Sequence, residues 1–272
     1  MESVRKFSEK FETYLDLYSR QFRPYLPILA RTLLVSTFIE DAFRIIFQWS
    51  NQLFYLRAYR GFPNGLNHIF LAYNVIVMLI CSFTAISRKY TLNSVIGLLT
   101  IVVGQGFAYG LIFDFSFFMR NLSVIGGLLI LLAESLILER KEGYAGIPNI
   151  SEADRTRYVL LGGRILLVFL FFSMLFSSEF SLLRIILIVI GGLSCIMVAV
   201  GFKAKYSAMM LVAVLSVFNL IVNDWWSFDS NSSHRDFVKY DFFQTLSIMG
   251  GFLLIVNIGP GSFSVDEKKK DY

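Results

Sequence analysis

Residues 66–86 read LNHIFLAYNVIVMLICSFTAI, and this stretch decides the fold class because it contains no Asp, Glu, Lys or Arg. An α-helix needs about 20 mostly apolar residues to cross the hydrocarbon core of a bilayer. Other apolar stretches approach that length near 27–48, 91–113, 121–138, 159–177, 182–202, 206–223 and 241–258. The sequence therefore predicts an all-α polytopic membrane protein with about eight transmembrane helices.

The composition excludes a water-soluble domain. Of the 272 residues, 56% are hydrophobic and 17% are charged, and the mean hydropathy is +0.61. The first 26 residues are charged and lack an apolar core followed by a small-residue cleavage site. No removable signal peptide is predicted, so the first span should be retained.

The basic residues predict the orientation of the spans. Most of the Lys and Arg residues fall in the segments 1–26, 87–90, 139–158, 203–205 and 259–272, and few fall on the opposite face. Loops rich in Lys and Arg stay in the cytosol. The amino and carboxyl termini should therefore both be cytosolic. This topology explains the net charge of +5, and a nucleic-acid partner need not be invoked.

Internal similarity divides the chain into two halves. Residues 31–35 match residues 164–168, and residues 121–130 match residues 245–254 around the glycine pairs 126–127 and 250–251. The matches predict two four-helix repeats of the same orientation, 27–138 and 159–258, joined by a cytosolic linker at 139–158. An axis along the membrane normal would relate them. The alternative is a chance resemblance between apolar helices, in which Leu, Ile and Gly always recur.

The amino-terminal segment 1–26 is predicted to be an amphipathic helix. Bulky apolar residues recur at intervals of three and four, at Phe7, Phe11, Leu15, Tyr18 and Phe22. Basic residues lie among the polar positions, which favours a helix on the cytosolic leaflet in contact with membrane lipids. The alternative is a cytosolic helix packed against a partner or the loops.

The carboxyl-terminal tail 259–272 carries a candidate retrieval signal. Lys269 and Lys270 lie four and three positions from the carboxyl end. This is the dilysine spacing read by the coat that returns membrane proteins from the Golgi to the endoplasmic reticulum. Such a signal is an address and not an anchor, so it has meaning on a membrane protein with a cytosolic tail.

Motifs for catalysis or metal binding are not apparent. Cys81 and Cys195 fall in apolar spans, and His68 and His234 have no neighbouring ligand pattern. Phosphate-cradling loops and Gly-x-Ser-x-Gly are not found. We expect neither an enzyme nor a bound cofactor or metal.

The first predicted span holds the charged residues that are the strongest candidates for a binding site. Glu40 and Asp41 lie four and three positions before Arg44, so both carboxylates can reach its guanidinium on one helix face. Such charges should face the bundle interior or a cavity open to the lumen. The cluster is either an acidic pocket for a cationic group or an ion-pair network that holds helices in register. Other polar residues predicted on the luminal side, which could join such a pocket, include Asp114, Tyr240 and Asp241.

A second charged set lies toward the cytosolic side. Glu134 could pair with either Arg31 or Arg164. We interpret this set as structural, with the arginines snorkelling to the interface.

Several ordered motifs resemble the surfeit locus protein 4 family. They lie at 36–49, 119–122, 132–135, 162–168, 201–203, 239–245 and 266–270. The resemblance runs from about residue 25 to the carboxyl end, and it is weaker in the loops at 50–65 and 224–236.

The resemblance implies a cargo receptor of the endoplasmic reticulum. Members of the family move soluble secretory proteins into coat protein II (COPII) vesicles and are thought to read short amino-terminal sequences of the cargo. The receptor would cycle through the intermediate compartment and early Golgi, and the coat protein I (COPI) coat would return it through the dilysine tail. We hypothesise that Glu40 or Asp41 holds the α-amino group of the cargo, with neighbours such as Phe38 or Phe117 selecting apolar side chains.

A transporter or lipid scramblase of the early secretory pathway is the competing interpretation. Two repeats and polar residues within spans are equally natural for that class. A transport path should carry titratable groups through the full depth of the bundle, whereas these residues cluster toward the lumen. The identity of the cargo and the oligomeric state stay open.

Overall fold

The computed structural model describes residues 24–63, 65–142, 150–169, 182–229, 232–259, 261 and 263–265. Residues 1–23 of the predicted amphipathic segment and the retrieval signal at Lys269 and Lys270 lie outside these ranges.

The described chain is helical, and no strand occurs within it. The α-helices are α1 (Leu26–Phe47), α2 (Trp49–Arg60), α3 (Leu66–Ile86), α4 (Thr91–Tyr109), α5 (Phe115–Glu142), α6 (Ile150–Leu167), α7 (Leu182–Val200), α8 (Ala204–Val222) and α9 (Ser233–Ile258). Short 3-10 turns at Leu111–Phe113 and Trp225–Ser227 follow α4 and α8. The all-α prediction is confirmed for this part of the chain.

Five of the described helices are long and apolar enough to cross a membrane. The candidate spans are Leu66–Ile86, Thr91–Tyr109, Phe115–Leu138, Ala204–Ser227 and His234–Ile258. Large apolar side chains on one face of α3, including Ile69, Ile76, Ile80 and Phe83, are exposed, as lipid contact requires. The chain is thus a polytopic membrane protein, and the predicted number of eight spans stays a prediction.

Helices α5 and α9 begin earlier than the apolar pattern predicts. The apolar stretches start near 121 and 241, whereas the helices start at Phe115 and Ser233. The added turns contain Arg120 and Lys239, whose charges are paired with residues of other helices. Pairing allows polar residues to continue a helix within the bundle, which hydropathy alone does not indicate.

The described helices pack as two series of neighbours, which meet where α5 contacts α9. Helix α1 contacts α3, α3 contacts α4, and α4 contacts α5; similarly α7 contacts α8, and α8 contacts α9. The most extensive contacts join α1 to α9 and α5 to α6, and α5 also packs on α9. The first described helix therefore closes against the last.

Glycines allow the close approach at both of these extensive contacts. A Cβ atom on Gly250 of α9 would lie 2.4 Å from the backbone nitrogen of Leu34 in α1. A Cβ atom on Gly126 of α5 would lie 2.7 Å from the backbone nitrogen of Leu167 in α6. Neither position has room for a side chain, so these glycines allow the helices to approach each other closely.

Serine hydroxyls accompany the glycines. Ser123 of α5 donates a hydrogen bond to the carbonyl oxygen of Leu167 at 3.3 Å, and Ser247 of α9 donates one to that of Leu34. The α5–α6 and α9–α1 contacts therefore use the same kinds of residue.

A buried ion pair ties four helices together at the end of the bundle that carries Arg88 and Lys203. Arg31 of α1 donates from Nε to Glu134 Oε2 of α5 at 2.9 Å and from Nη1 to the Ala85 carbonyl of α3 at 3.1 Å. Asn257 of α9 donates to Glu134 Oε1 at 3.3 Å. Glu134 therefore pairs with Arg31. The predicted snorkelling of Arg31 is wrong, because its side chain is 1% exposed and its partners lie inside the bundle.

The second arginine of that set is also buried. Arg164 donates from Nη2 to the carbonyl oxygen of Phe263 at 2.8 Å, and the ring of Phe263 lies 5.3 Å from that of Tyr158. Arg164 therefore holds the segment after α9 against α6, and its predicted snorkelling is wrong as well.

Candidate functional site

A cavity of about 410 Å³ opens at the opposite end of the bundle, which we call the site end. Helices α1, α2, α4, α5 and α9 and the residue Leu111 line it. Its wall is rich in amide side chains and aromatic rings: Gln48, Asn51, Gln52, Gln105, Tyr55, Tyr109, Tyr240, Phe117 and Phe237. Arg44, Leu111 and Asp236 complete the wall. The volume lies in the range of ligand pockets, roughly 300 to 1,000 Å³.

The junction of α1 and α2 places four cavity residues in one row. Arg44, Gln48, Gln52 and Tyr55 follow one another at intervals of four, four and three. The backbone nitrogen of Gln48 donates a hydrogen bond to the carbonyl oxygen of Arg44 at 2.9 Å, and that of Gln52 donates one to the carbonyl oxygen of Gln48 at 3.0 Å. The helical bonding therefore continues across the break, and residues at this spacing share one face.

Asp41 lies beneath the cavity, and each of its carboxylate oxygens has a protein partner. Its Oδ1 pairs with Arg44, and its Oδ2 accepts a hydrogen bond from Gln105 of α4 at 2.7 Å. The guanidinium of Arg44 also lies 5.9 Å from the centre of the Tyr240 ring. The positive charge of Arg44 is thus neutralised by Asp41 in the cavity wall.

Glu40 takes a different partner from the one expected. It is 5% exposed, and its Oε1 lies 3.1 Å from Nζ of Lys239 in α9. The ammonium of Lys239 also lies 5.6 Å from the centre of the Trp225 ring. The prediction that both carboxylates reach Arg44 is therefore confirmed for Asp41 and wrong for Glu40, which does not line the cavity.

The remaining predicted site residues are divided. Tyr240 lines the cavity, and its ring centre lies 6.0 Å from that of Phe117. Asp241 forms an ion pair with Arg120 of α5 and does not line the cavity. Asp114 is exposed and caps α5, because its Oδ1 accepts hydrogen bonds from the backbone nitrogens of Ser116 at 3.0 Å and Phe117 at 3.2 Å.

A second cavity, of about 30 Å³, adjoins the first. Both share Gln105, Leu111 and Tyr240, and the smaller one is also lined by Asp41 and Gln244. Gln244 donates to the hydroxyl of Tyr240 at 3.3 Å, while its Oε1 is buried without a hydrogen-bond partner in the described protein. The space is large enough for one water molecule.

Sequence reasoning did not single out Gln48, Gln52, Tyr55 or Asp236. The segment 50–65 was expected to be a loop, but residues 49–60 form α2. Leu56 is buried, and the Tyr109 hydroxyl donates to Gln52 Oε1 at 3.0 Å, so α2 packs on α4. The helical spacing after Arg44 was the available signal. In the described residues, no three His, Cys, Asp or Glu side chains lie close enough to hold a metal.

Comparison with known proteins places the chain in a family. Residues 5–272 match the model of the SURF4 family. The surfeit locus protein 4 homolog of Schizosaccharomyces pombe is 44% identical over 273 residues, covering 100% of this chain and 89% of the relative. The ER-derived vesicles protein ERV29 of Saccharomyces cerevisiae is 40% identical, covering 99% and 86%. The surfeit locus protein 4 homolog of Drosophila melanogaster is 38% identical, covering 100% of both chains.

No solved structure gives a significant match. The match over nearly the whole length agrees with the resemblance carried by the sequence motifs. The chain belongs to the SURF4 family.

Proposed function

We propose that this membrane protein acts in export from the endoplasmic reticulum as a receptor for soluble secretory cargo. A role in vesicles derived from the endoplasmic reticulum is supported by ERV29, whose name states that origin and which is 40% identical over 99% of this chain. The observation that carries the receptor function is the cavity of about 410 Å³ at the site end.

The cavity wall suits an extended peptide. Side-chain amides such as those of Gln48, Asn51 and Gln52 both donate and accept hydrogen bonds, as a peptide backbone requires. The rings of Tyr55, Phe117 and other wall residues offer apolar contact to the side chains of a ligand. We propose that the amino-terminal segment of cargo enters this cavity.

The position of the cavity favours a receptor over a transporter or scramblase. The cavity lies at one end of the bundle, and deeper positions are filled by apolar residues such as Leu34, Leu128 and Phe252, each 0% exposed. At the other end, Arg31 and Glu134 form a buried pair. A solute path would instead need polar groups through the full depth.

The trafficking itinerary completes the proposal. The site end would face the lumen and both termini the cytosol, where the COPII coat would load the receptor into vesicles. Lys269 and Lys270 would recruit the COPI coat for retrieval from the early Golgi. This orientation is supported by the excess of basic residues in the predicted cytosolic segments.

We also propose that residues 27–138 and 159–258 are two same-orientation four-helix repeats. The arrangement is supported by the matching roles of Gly126 and Gly250 against α6 and α1, and of Ser123 and Ser247 beside them. A pseudo-two-fold axis along the membrane normal would pass between α5 and α9.

Filling the cavity tests the receptor function. In cells lacking the endogenous protein, Asn51→Trp is expected to leave soluble cargo in the endoplasmic reticulum, because the indole would occupy the space that the cargo needs. Asn51 is exposed and lines the cavity, so the bulky side chain does not disturb the buried core. Pulse-labelled quantitative proteomics of secreted proteins would measure the effect.

Ser50→Trp is the matched control, since Ser50 is exposed on the same helix and does not line the cavity. It is expected to restore secretion as wild type does. Equal rescue by Asn51→Trp would contradict the proposed site. Normal secretion without the protein, together with altered lipid distribution, would favour the scramblase.

A further inference from the structure

Several charged side chains near the cavity are paired with one another. Three ion pairs are each neutral: Arg44 with Asp41, Lys239 with Glu40, and Arg120 with Asp241. The carboxylate of Asp236 also lines the cavity, and no cation of the described residues forms an ion pair with it. The cavity wall therefore carries an uncompensated negative charge at Asp236.

The protein holds this carboxylate in place with a neutral donor. Gln48 Nε2 donates a hydrogen bond to Asp236 Oδ2 at 2.9 Å, joining the end of α1 to the first turn of α9. A neutral donor orients the carboxylate and leaves its charge intact. The amino-terminal end of α9 further stabilises a negative charge at this position.

We infer that Asp236 binds the α-ammonium group of the ligand's first residue, an inference that rests on the proposed peptide-binding function. A primary ammonium donates three hydrogen bonds and carries the positive charge that would pair with Asp236. A ligand carboxylate would instead meet repulsion from Asp236. The ligand therefore enters with its free amino terminus next to α9.

Glu40 and Asp41 are poorer partners for the same group. These two residues are 5% and 4% exposed, and each is paired with a cation of the protein. An incoming ammonium would have to displace Lys239 or Arg44 and leave that charge buried without a partner, which is costly. Their role is to neutralise the two cations beside the cavity, so that the field of Asp236 is not cancelled.

Paired peptides test the assignment on the full chain in lipid nanodiscs. The probes are two hexapeptides with apolar residues at the first three positions and a dye at the carboxyl end, one with a free amino terminus and one N-acetylated. Fluorescence anisotropy is expected to show that wild type prefers the free amine by roughly ten- to a hundredfold, the value of a charge-assisted hydrogen bond.

Asp236→Asn is expected to abolish this preference, because the affinity for the free-amine peptide should fall to that for the acetylated peptide. Asp236→Glu should keep the preference, because it keeps the charge. Asp229→Asn is the matched control, since Asp229 is exposed near the same end and lines neither cavity. Size-exclusion profiles would verify that each variant is folded.

A retained preference for the free amine in Asp236→Asn would overturn the assignment to Asp236 while leaving peptide binding established. If wild type binds neither peptide, the proposed function fails, and the assignment fails with it. Equal binding of both peptides by wild type would overturn amine recognition alone.

Discussion

At the scale of single residues, the chain uses buried charges in two different ways. At the site end, Arg44 and Lys239 are neutralised so that the cavity can present Asp236. At the other end, Arg31 and Glu134 are paired with side-chain exposures of 1% and 3%, and neither residue lines the two cavities of the site end. The first arrangement belongs to the proposed binding site, whereas the second joins helices.

Glu134→Gln is expected to destabilise the protein strongly. It would leave the guanidinium of Arg31 buried without its counter-charge, at a cost of about 3 to 5 kcal/mol. The thermal unfolding midpoint of the detergent-solubilised protein should fall accordingly. The double variant Arg31→Met, Glu134→Leu should recover most of the loss, because it removes both charges and keeps similar volumes. An unchanged midpoint for Glu134→Gln would contradict a structural role for the pair.

At the scale of helices, the central elements are set by small residues. Helices α5 and α9 each present a glycine to a neighbouring backbone, where a methyl group would meet main-chain atoms that cannot move aside. Packing of this kind replaces the hydrophobic effect as the force between helices in a bilayer. It also fixes where α1 and α9 meet, and hence the positions of Arg44 and Asp236 on facing walls.

Gly250→Ala should lower stability by about 1 to 3 kcal/mol, the usual range for overpacking. Its added methyl would lie 2.4 Å from the Leu34 nitrogen and 2.6 Å from the Ala30 oxygen. Gly162→Ala in α6 is the control, because its Cβ meets nothing within 4 Å. That variant should be neutral or more stable, since Ala favours a helix by about 0.5 to 1 kcal/mol. Equal unfolding midpoints for the two variants would show that the α1–α9 contact is looser than described.

At the scale of the whole molecule, the proposed binding of luminal cargo requires that the site end face the lumen. Asp229 and Lys89 are exposed near opposite ends of the bundle. The side on which each lies therefore reports the orientation of the whole chain.

Cysteine accessibility in sealed microsomes measures that orientation. A membrane-impermeant maleimide should label Lys89→Cys directly and Asp229→Cys only after the vesicles are opened. The unaltered chain is the control, because Cys81 and Cys195 lie within α3 and α7. Labelling of Asp229→Cys in sealed vesicles would place the cavity in the cytosol and exclude luminal cargo.

The sequence by itself determined the fold class, the ends of several helices and the family. Hydrophobicity and helical spacing are local properties of the sequence. Residues 66–86 therefore predict a transmembrane helix whatever the rest of the chain contains. The pairing of Asp41 with Arg44 was predictable for the same reason, since the two residues are three apart on one helix.

The tertiary structure alone decided which groups reach the cavity. Gln48 and Asp236 are 188 residues apart, and Glu40 meets Lys239 only because α1 closes against α9. Helix α2 was also missed, because its sequence contains no long apolar stretch. The role of its polar residues is apparent only from the cavity that they line. Charged side chains within a bundle pair with the groups that lie nearest in space. Which groups lie nearest depends on how the helices pack and not on a local pattern of the sequence.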